Sequence, residues 1–274
     1  MIPPAAAAPE PSDPIDPAMV RSAGLARFEH LPVVDSTMER ARDMAADASC
    51  PLPAAVVADV QTRGRGQRGA RWWQAPGSLA VSLVVEVPAA GTAPPAPPAI
   101  WSLACGVALA EAIAALEPGL DPLVRWPNDV EVGDRKLAGI LVEATPAGRA
   151  VFGVGVNTTG SVREAPPGLA RRLTTLPDLT GRVLPRGRLL GEFLPRLLRL
   201  LAETAADPGA LVPRYRARCG LDGHAVTVHR GAERITGLCR GIAADGGLVI
   251  DTAAGRVHVS SGSLTDPADV WRGD

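Results

Sequence analysis

Residues 64–69 read Gly-Arg-Gly-Gln-Arg-Gly, with the G-x-G-x-x-G spacing that seats a dinucleotide pyrophosphate at a helix N-terminus. That chemistry needs a strand before the glycines and a crossover helix after them. The apolar run 54–60 supplies the strand, but Pro-Gly at 76–77 leaves no room for a crossover, which needs at least ~10 residues. A Walker A loop is excluded too, since Ala-Arg follows Gly69 where Lys-Ser/Thr is required. We interpret residues 64–69 as a loop between two strands, called the Gly/Arg loop below.

Lysine is nearly absent from this chain. Of the 28 basic residues, all but Lys136 are arginine, which indicates a coding bias that replaces lysine wherever arginine will serve. A lysine that survives this bias is expected where a compact ammonium is needed and a planar guanidinium is not equivalent. Chance survival is the alternative. A chemical role is favoured because Lys136 follows a tight turn and lies close to Asn128, one of only two asparagines.

Four segments occur together in the chain: Asp35-Ser-Thr37, Gln61 to Trp72, Arg125 to Val130 with Asp134 to Glu143, and Gly153-Val-Gly-Val-Asn157. In their order and spacing they resemble the biotin protein ligases. The W-P-N-D…K-L-A-G-I-L-V-E run is highly specific, whereas the Gly/Arg loop alone would be weak evidence. The resemblance covers about residues 27–262.

This resemblance implies a two-step reaction with biotin and ATP as substrates and Mg²⁺ accompanying ATP. The biotin carboxylate attacks the α-phosphorus of ATP, giving biotinyl-5′-adenylate and pyrophosphate. A lysine of a biotin carboxyl carrier protein, or of a carrier domain of a carboxylase, then attacks the acyl carbon and AMP leaves. Both steps gather negative charge, so such a site needs cations aimed at phosphate and carboxylate oxygens.

The resemblance also assigns residues. Lys136 and Arg65 are implied as the catalytic cations. The implied biotin-binding residues are Ser36, Thr37, Met38, Gln61, Arg65, Gly66, Gln67, Lys136 and Gly139. The implied nucleotide-binding residues are Gly64, Arg68, Trp72, Asn128, Asp129 and Asn157, and Asp129 is the candidate for placing Mg²⁺.

Structural alternatives accompany several of these assignments. Ser36 with Glu39 three residues later forms a capping box at a helix start, a role that can coexist with ligand binding. Trp72 is either a stacking surface for adenine or a core residue. Asp129 is either a functional acid or a turn former after Pro-Asn.

The chain departs from the common family pattern at three positions. Met38 stands where many members have asparagine, Gln67 replaces a frequent arginine, and Ala70 occupies a position that is often basic. These changes affect the roles expected within the loop more than the family assignment.

The element pattern predicts an α+β fold in which a mixed β-sheet packs with helices and a small SH3-like β-barrel follows. We expect an Ala/Pro-rich disordered leader over residues 1–22, a catalytic domain over 23–219 and the β domain over 220–274. A leader so short and proline-rich predicts a monofunctional ligase without an N-terminal DNA-binding domain.

Composition excludes other classes. A net charge of −1 argues against a general polyanion binder, and Glu111 within the apolar run 100–116 indicates a buried helix and not a membrane span. The four cysteines lack C-x-x-C spacing, so neither zinc nor a redox pair is indicated, and a cytoplasmic protein is expected. The rival functions are a lipoate–protein ligase and a non-catalytic biotin or nucleotide sensor. A homodimer is left open.

Overall fold

The computed structural model describes residues 13, 15–69, 71–75, 77–87 and 99–264. Its helices are α1 (Pro17–Ser22), α2 (Thr37–Ala46), α3 (Ala99–Leu116), α4 (Pro167–Ala170), α5 (Leu176–Thr180), α6 (Arg186–Ala206) and α7 (Leu211–Arg216). Its strands are β1 (Arg27–Val34), β2 (Ala54–Gln61), β3 (Leu79–Glu86), β4 (Pro122–Arg125), β5 (Asp129–Val132), β6 (Arg135–Ala144), β7 (Arg149–Val156), β8 (Ala225–Arg230), β9 (Glu233–Ile242), β10 (Leu248–Thr252) and β11 (Gly255–Val259).

The first seven strands form one mixed sheet in the order β1-β2-β3-β7-β6-β5-β4. β1 and β2 run parallel, and every other neighbouring pair is antiparallel. β2 and β3 are nearly continuous apolar runs because both faces of the sheet are covered. Val56 and Val84 pack with α2, whereas Val57 and Leu83 belong to the larger core that contains α3 and α6. The predicted α+β fold with a mixed sheet is confirmed.

Helix α3 is the centre of the larger core. By length and mean hydropathy, 1.9, it is long enough and apolar enough to cross a membrane, but 67% of it is buried inside the fold. It packs against α6 and β4, and its Glu111 pairs with Arg214 of α7 at 2.7 Å. The helix is therefore a core element of this fold.

Strands β8 to β11 form a four-stranded antiparallel sheet in the order β11-β10-β9-β8. The predicted β-rich C-terminal region is confirmed, but the described strands do not close into a barrel, since β8 and β11 are not paired. This sheet shares the larger core, and Trp126 Nε1 donates to the Gly246 carbonyl at 3.1 Å. A domain boundary near residue 219 stays a prediction.

The expected disorder of the leader is wrong for Asp13 and residues 15–22. Ile15 and Val20 are 4% and 0% exposed, and α1 packs on α6. The Ala/Pro-rich composition led to the prediction of disorder. The helix is stabilised by the burial of these two apolar residues, which outweighs the weak helix propensity of the segment. Residues 1–12 and 14 lie outside the described part of the chain.

A buried charge cluster anchors this segment. Arg186, at the start of α6, is 1% exposed and lies 2.7 Å from Asp59 at the end of β2. Its guanidinium also donates to the carbonyl of Asp13 at 2.9 Å. His30 on β1 lies 2.8 Å from the same Asp59 oxygen. The cluster joins the start of the described chain to β1, β2 and α6.

We expect Arg186→Met to lower the free energy of unfolding by about 2 kcal/mol, since it leaves both carboxylates without their main cation. The loss stays below the ~3–5 kcal/mol of a fully buried pair, because Asp59 and Asp13 are 14% and 19% exposed. Urea denaturation measures it, with Arg188→Met on the exposed face of the same helix as control. Equal losses in the two variants would contradict a special role for Arg186.

Candidate active site

A cavity of about 470 Å³ opens where the start of α2 and the Gly/Arg loop meet β6 and β7. Its walls combine polar side chains from α2 and β2 with glycines and apolar side chains from the two strands. The lining residues are Ser36, Thr37, Met38, Gln61, Arg65, Gly66, Gln67, Trp72, Asn128, Lys136, Gly139, Ile140, Leu141, Gly153, Val154 and Gly155. The structure thus brings together residues that are far apart in the sequence.

Helix α2 begins at the cavity, and its first residues are held by β2 and β3. The backbone N–H and hydroxyl of Thr37 both donate to Oε1 of Gln61, at 3.0 and 3.2 Å. Ser82 on β3 donates to the Thr37 hydroxyl at 2.8 Å. These bonds fix Thr37 and Gln61 before any ligand binds.

The capping box predicted for Ser36 and Glu39 is wrong. Ser36 is the N-cap residue of α2, but its side chain makes no capping hydrogen bond, and Glu39 pairs instead with Arg65. The side chain of Ser36 is buried, 1% exposed, and its Oγ has no partner among the described residues. A buried hydroxyl without a partner costs free energy, so a polar ligand atom in the cavity is its natural partner.

Met38 forms an apolar part of the wall. It is 4% exposed and lies over β7, where a Cβ added to Gly153 would come 2.5 Å from its Sδ. Gly153 therefore leaves the space that Met38 occupies. The departure from asparagine at this position exchanges a polar group for a polarisable apolar one.

Trp72 packs on two glycines that face each other across β6 and β7. Gly139 and Gly155 are register partners, and a Cβ on either would come within 3.0 Å of the indole ring. The Trp72 N–H donates to the Gly64 carbonyl at 3.1 Å, which joins the two ends of the Gly/Arg loop. The indole Nε1 is buried and has no hydrogen-bond partner in the part of the chain that the structure describes. Only glycine at both strand positions permits this close approach.

Lys136 extends into the cavity from the start of β6. Its Nζ forms an ion pair with Asp129 on β5, 2.6 Å from Oδ1, although the geometry is not that of a hydrogen bond. The same Nζ lies 5.7 Å from the centre of the Trp72 ring. Its backbone bonds to residues 172 and 174, so the strand edge at this point is covered. The lysine is 27% exposed. The cavity thus holds a fixed ammonium beside a carboxylate.

One further acid and one further base, Glu131 and Arg125, lie next to this ion pair in the sheet. Glu131 lies 3.6 Å from Arg125, and burial raises the pKa of its carboxyl. Asp129, although paired with Lys136, is not among the cavity-lining residues. The ammonium therefore lies on the β5 side of the cavity, beside Asp129.

The arginines of the loop region are paired with acids at the start of α2. Arg65 forms an ion pair with Glu39, and Arg63 forms one with Asp35. Arg65 is half exposed and lies at the rim of the cavity, beside Gly66 and Gln67. The side chain of Arg68 and all of Ala70 lie outside the described residues.

The two asparagines have different positions. Asn128 lines the cavity and donates to the Ile140 carbonyl at 2.8 Å. Asn157 is fully buried outside the cavity wall, and its amide donates to the Thr174 carbonyl at 2.9 Å. These contacts give Asn157 a structural role, and its predicted contact with nucleotide has no support from them. Gly64 also lies outside the wall.

Sequence reasoning missed five residues of the wall on β6 and β7, and it missed the part played by Glu39. The period-two pattern around Gly139 could have indicated the strand residues, since alternate positions share a face. The pairing of Glu39 with Arg65 had no local signal. The missed wall residues are Ile140, Leu141, Gly153, Val154 and Gly155.

Comparison with known proteins identifies this arrangement. The sequence model of the biotin/lipoate A/B protein ligase family matches residues 30–158, and that of the biotin protein ligase C-terminal domain matches residues 223–263. The biotin–[acetyl-CoA-carboxylase] ligase of Mycobacterium tuberculosis is 35% identical over 217 residues, which cover 76% of this chain and 77% of that protein. The chain belongs to the biotin protein ligase family.

Two further relatives agree with this. The bifunctional ligase/repressor of Salmonella typhimurium is 30% identical over 237 residues, covering 81% of this chain and 68% of that protein. The biotin protein ligase from Aquifex aeolicus, solved in complex with biotin and ATP, superposes with a TM-score of 0.73 at 27% identity. The match covers 87% of this chain and 97% of the Aquifex aeolicus chain. The predicted resemblance to biotin protein ligases is confirmed in sequence and in fold.

Proposed function

We propose that this biotin protein ligase uses ATP to form biotinyl-5′-adenylate and transfers biotin to a specific lysine of a biotin carboxyl carrier protein. The observation that carries the proposal is the cavity itself. It joins the chain's one lysine, a buried serine hydroxyl that no described residue bonds to, and a tryptophan on two glycines, all within the motifs of the family. The related Aquifex aeolicus enzyme was solved with biotin and ATP.

In the first step, the biotin carboxylate attacks the α-phosphorus of ATP and pyrophosphate leaves. Lys136 is the cation that lies between the approaching carboxylate and phosphate oxygens. To do so, its Nζ moves from Asp129, 2.6 Å away, toward the ligand oxygens. The stabilisation arises because the backbone of Lys136 is already anchored beside the cavity, so that only its side chain has to move.

In the second step, the acceptor lysine attacks the acyl carbon of the adenylate and AMP leaves with the bonding electrons. Arg65, at the rim, is placed to bind the adenylate once it releases Glu39. Closure of the loop over the intermediate would keep water from hydrolysing the mixed anhydride. Arg68 and Gly64 are proposed as further contacts to phosphate.

The remaining contacts to biotin and adenine are proposed by matching polar and apolar side chains of the cavity to polar and apolar parts of the ligands. Ser36, Thr37 and Gln61 are proposed to bind the polar ureido ring of biotin, and Met38 its apolar part. Trp72 is proposed to stack on adenine, with Asn128 beside it. Gly66, Gln67 and Gly139 provide close backbone approach or polar contact within the same wall.

Magnesium is proposed to enter with ATP. The described residues contain no group of three or more histidines, cysteines, aspartates or glutamates that could hold a metal ion. This agrees with an ion that keeps its own waters and is bound mainly by phosphates. Asp129 stays the candidate protein ligand, although its carboxylate is paired with Lys136 in this structure.

Partners and location are extensions of the same proposal. The carrier protein is the expected macromolecular partner, and cytoplasmic ATP together with four free cysteines supports a cytoplasmic site. We expect no DNA binding, and gel-shift assays with biotin-operon operator DNA test this. Sedimentation with and without biotinyl-adenylate tests the homodimer.

The deciding experiment is transfer of labelled biotin to an isolated biotin carboxyl carrier domain. We expect transfer that requires ATP and biotin, with no transfer of lipoate to either a biotin or a lipoate carrier domain. Preferential transfer of lipoate would favour the lipoate ligase reading. Binding of biotin without release of pyrophosphate would favour a sensor.

Ser36→Ala tests the biotin site. We expect biotin affinity to fall about 10-fold, the loss of one hydrogen bond, while ligand-free stability is unchanged because no described residue bonds to the hydroxyl. Calorimetric titration and thermal unfolding measure the two quantities. The matched control is Ser82→Ala, which removes a bond to Thr37 and should lower ligand-free stability by about 1 kcal/mol. A stability loss in Ser36→Ala without a change in affinity contradicts the assignment.

A further inference from the structure

Gln74 lies at the base of the Gly/Arg loop, where the strands on either side of that loop separate. The register between β2 and β3 ends at the pair Ala58 and Ala80. Just past this pair, Nε2 of Gln74 donates to the carbonyl of Asp59 at 3.3 Å and to that of Ser78 at 3.0 Å. One side-chain amide therefore joins the two strands at the point where the loop leaves the sheet.

The oxygen of the same amide holds Gln61, which lines the cavity. Nε2 of Gln61 donates to Oε1 of Gln74 at 3.2 Å. Oε1 of Gln61 accepts from the backbone N–H and the hydroxyl of Thr37 at 3.0 and 3.2 Å. Two glutamine amides thus form a continuous hydrogen-bonded chain from the start of α2 to the base of the loop.

The direction of this chain is fixed by backbone groups at its two ends. A backbone N–H can only donate, so Thr37 requires the oxygen of the Gln61 amide to face it. A backbone carbonyl can only accept, so Asp59 and Ser78 require the nitrogen of the Gln74 amide to face them. The nitrogen of Gln61 and the oxygen of Gln74 then meet as donor and acceptor. Neither amide can turn over without losing hydrogen bonds at both of its ends.

This arrangement leaves one donor of Gln61 for a ligand. The amide nitrogen carries two hydrogens, and in the part of the chain that the structure describes its one bonded acceptor is Gln74. Gly64 permits close packing beside this nitrogen, since a Cβ there would come 3.3 Å from it. The second hydrogen is therefore available to an acceptor atom of a molecule in the cavity.

We propose that Gln74 is a positioning residue for the biotin site, which holds the Gln61 amide with its nitrogen ready for a hydrogen-bond acceptor of biotin. This role rests on the proposed function, because it takes the ligand beside Gln61 to be biotin. Without Gln74, the Gln61 amide keeps its bonds to Thr37 but loses the partner of its nitrogen, and biotin must order it on binding. Gln74 is not among the cavity-lining residues, so its effect on the ligand passes through Gln61.

The variant Gln74→Met removes the amide and keeps a side chain of similar length. We expect biotin affinity to fall about 5-fold and ATP affinity to stay within about 2-fold, both measured by calorimetric titration. Thermal stability should fall as well, because the carbonyls of Asp59 and Ser78 lose their donor. The matched control is Thr145→Val, which removes a side-chain donor to the Arg149 carbonyl at 3.0 Å and should lower stability without changing biotin affinity.

A double variant separates positioning from a purely structural role. In a Gln61→Met background, Gln74→Met should cause no further loss of biotin affinity, although it still lowers stability. NMR of the ligand-free protein gives a second readout, since three glutamines and two asparagines produce few side-chain amide signals. The amide hydrogens of Gln61 should exchange with water faster in Gln74→Met than in the wild-type protein.

The outcomes distinguish this role from the proposed function. Unchanged biotin affinity in Gln74→Met, or losses that multiply in the double variant, would overturn the positioning role and leave the proposed function in place. A wild-type protein that binds no biotin would overturn both. Unprotected exchange of both Gln61 amide hydrogens in the wild-type protein would also sink the role, and this measurement does not depend on the variants folding.

Discussion

Lys136→Arg is expected to lower biotinyl-adenylate synthesis by at least ~100-fold although it conserves charge, about 3 kcal/mol of lost transition-state stabilisation. Lys136 lies in a narrow slot, where a Cβ on Gly139 would come 3.0 Å from its Cε. A guanidinium is larger and planar and favours bidentate pairing. Asp129 already lies beside this position, so an arginine would pair with that carboxylate and be withdrawn from the reacting oxygens.

The two half-reactions separate this role from a general defect. Pyrophosphate release measures the first, and transfer from pre-made biotinyl-adenylate measures the second, which should fall less because the α-phosphate bond is already formed. The control is Arg135→Lys at the exposed neighbouring position, expected to match wild type in both. Adenylation near the wild-type rate in Lys136→Arg would mean that the lysine survived by chance.

Gly155→Ala is expected to lower kcat/KM for ATP by about 100-fold, the scale of a displacement near 1 Å at a positioning residue. The added Cβ would lie 2.4 Å from Cε2 of Trp72, so the ring must leave its place on the sheet. The strand itself tolerates alanine, since Gly155 does not have a positive φ. The effect should therefore arise from the ring and not from the backbone.

A double variant tests that route. If Gly155→Ala acts by displacing Trp72, adding it to Trp72→Ala should cause little further loss, because both changes remove the same contact. Gly168→Ala is the control, since a Cβ there meets nothing within 4 Å. Additive losses in the double variant would show that Gly155 matters for another reason.

The fold was predictable where local pattern and burial agree. The apolar runs 54–60 and 100–116 predicted a buried strand and a buried helix, and the structure has β2 at Ala54–Gln61 and α3 at Ala99–Leu116. The motifs likewise predicted much of one wall of the cavity, because its α2, β2 and loop residues are carried by contiguous segments. Lys136 was indicated by residue usage, by its place after a tight turn and by the family motif that contains it.

What escaped prediction depends on contacts between distant segments. Glu39 pairs with Arg65 and does not cap α2, because the Gly/Arg loop lies beside the helix start. The position of that loop cannot be deduced from the local sequence. The space over Gly153 and Gly155 depends on the register of β6 and β7, and it is filled by Met38 and Trp72, which come from distant segments of the chain. The order of Asp13 and α1 likewise depends on α6, more than 160 residues away in the chain.

The contact between Asp13 and Arg186, which are 173 residues apart, also affects the order in which the chain folds during synthesis. During translation, residues 15–22 leave the ribosome long before α6 exists. At ~5–20 residues per second, the delay is roughly ten to thirty seconds. Through this interval Asp59 lacks Arg186, and Ile15 and Val20 lack α6, the helix on which α1 packs. Docking of the first helix is therefore a late, post-nucleation event in biogenesis, and nascent chains stalled before residue 186 should show it exposed to protease.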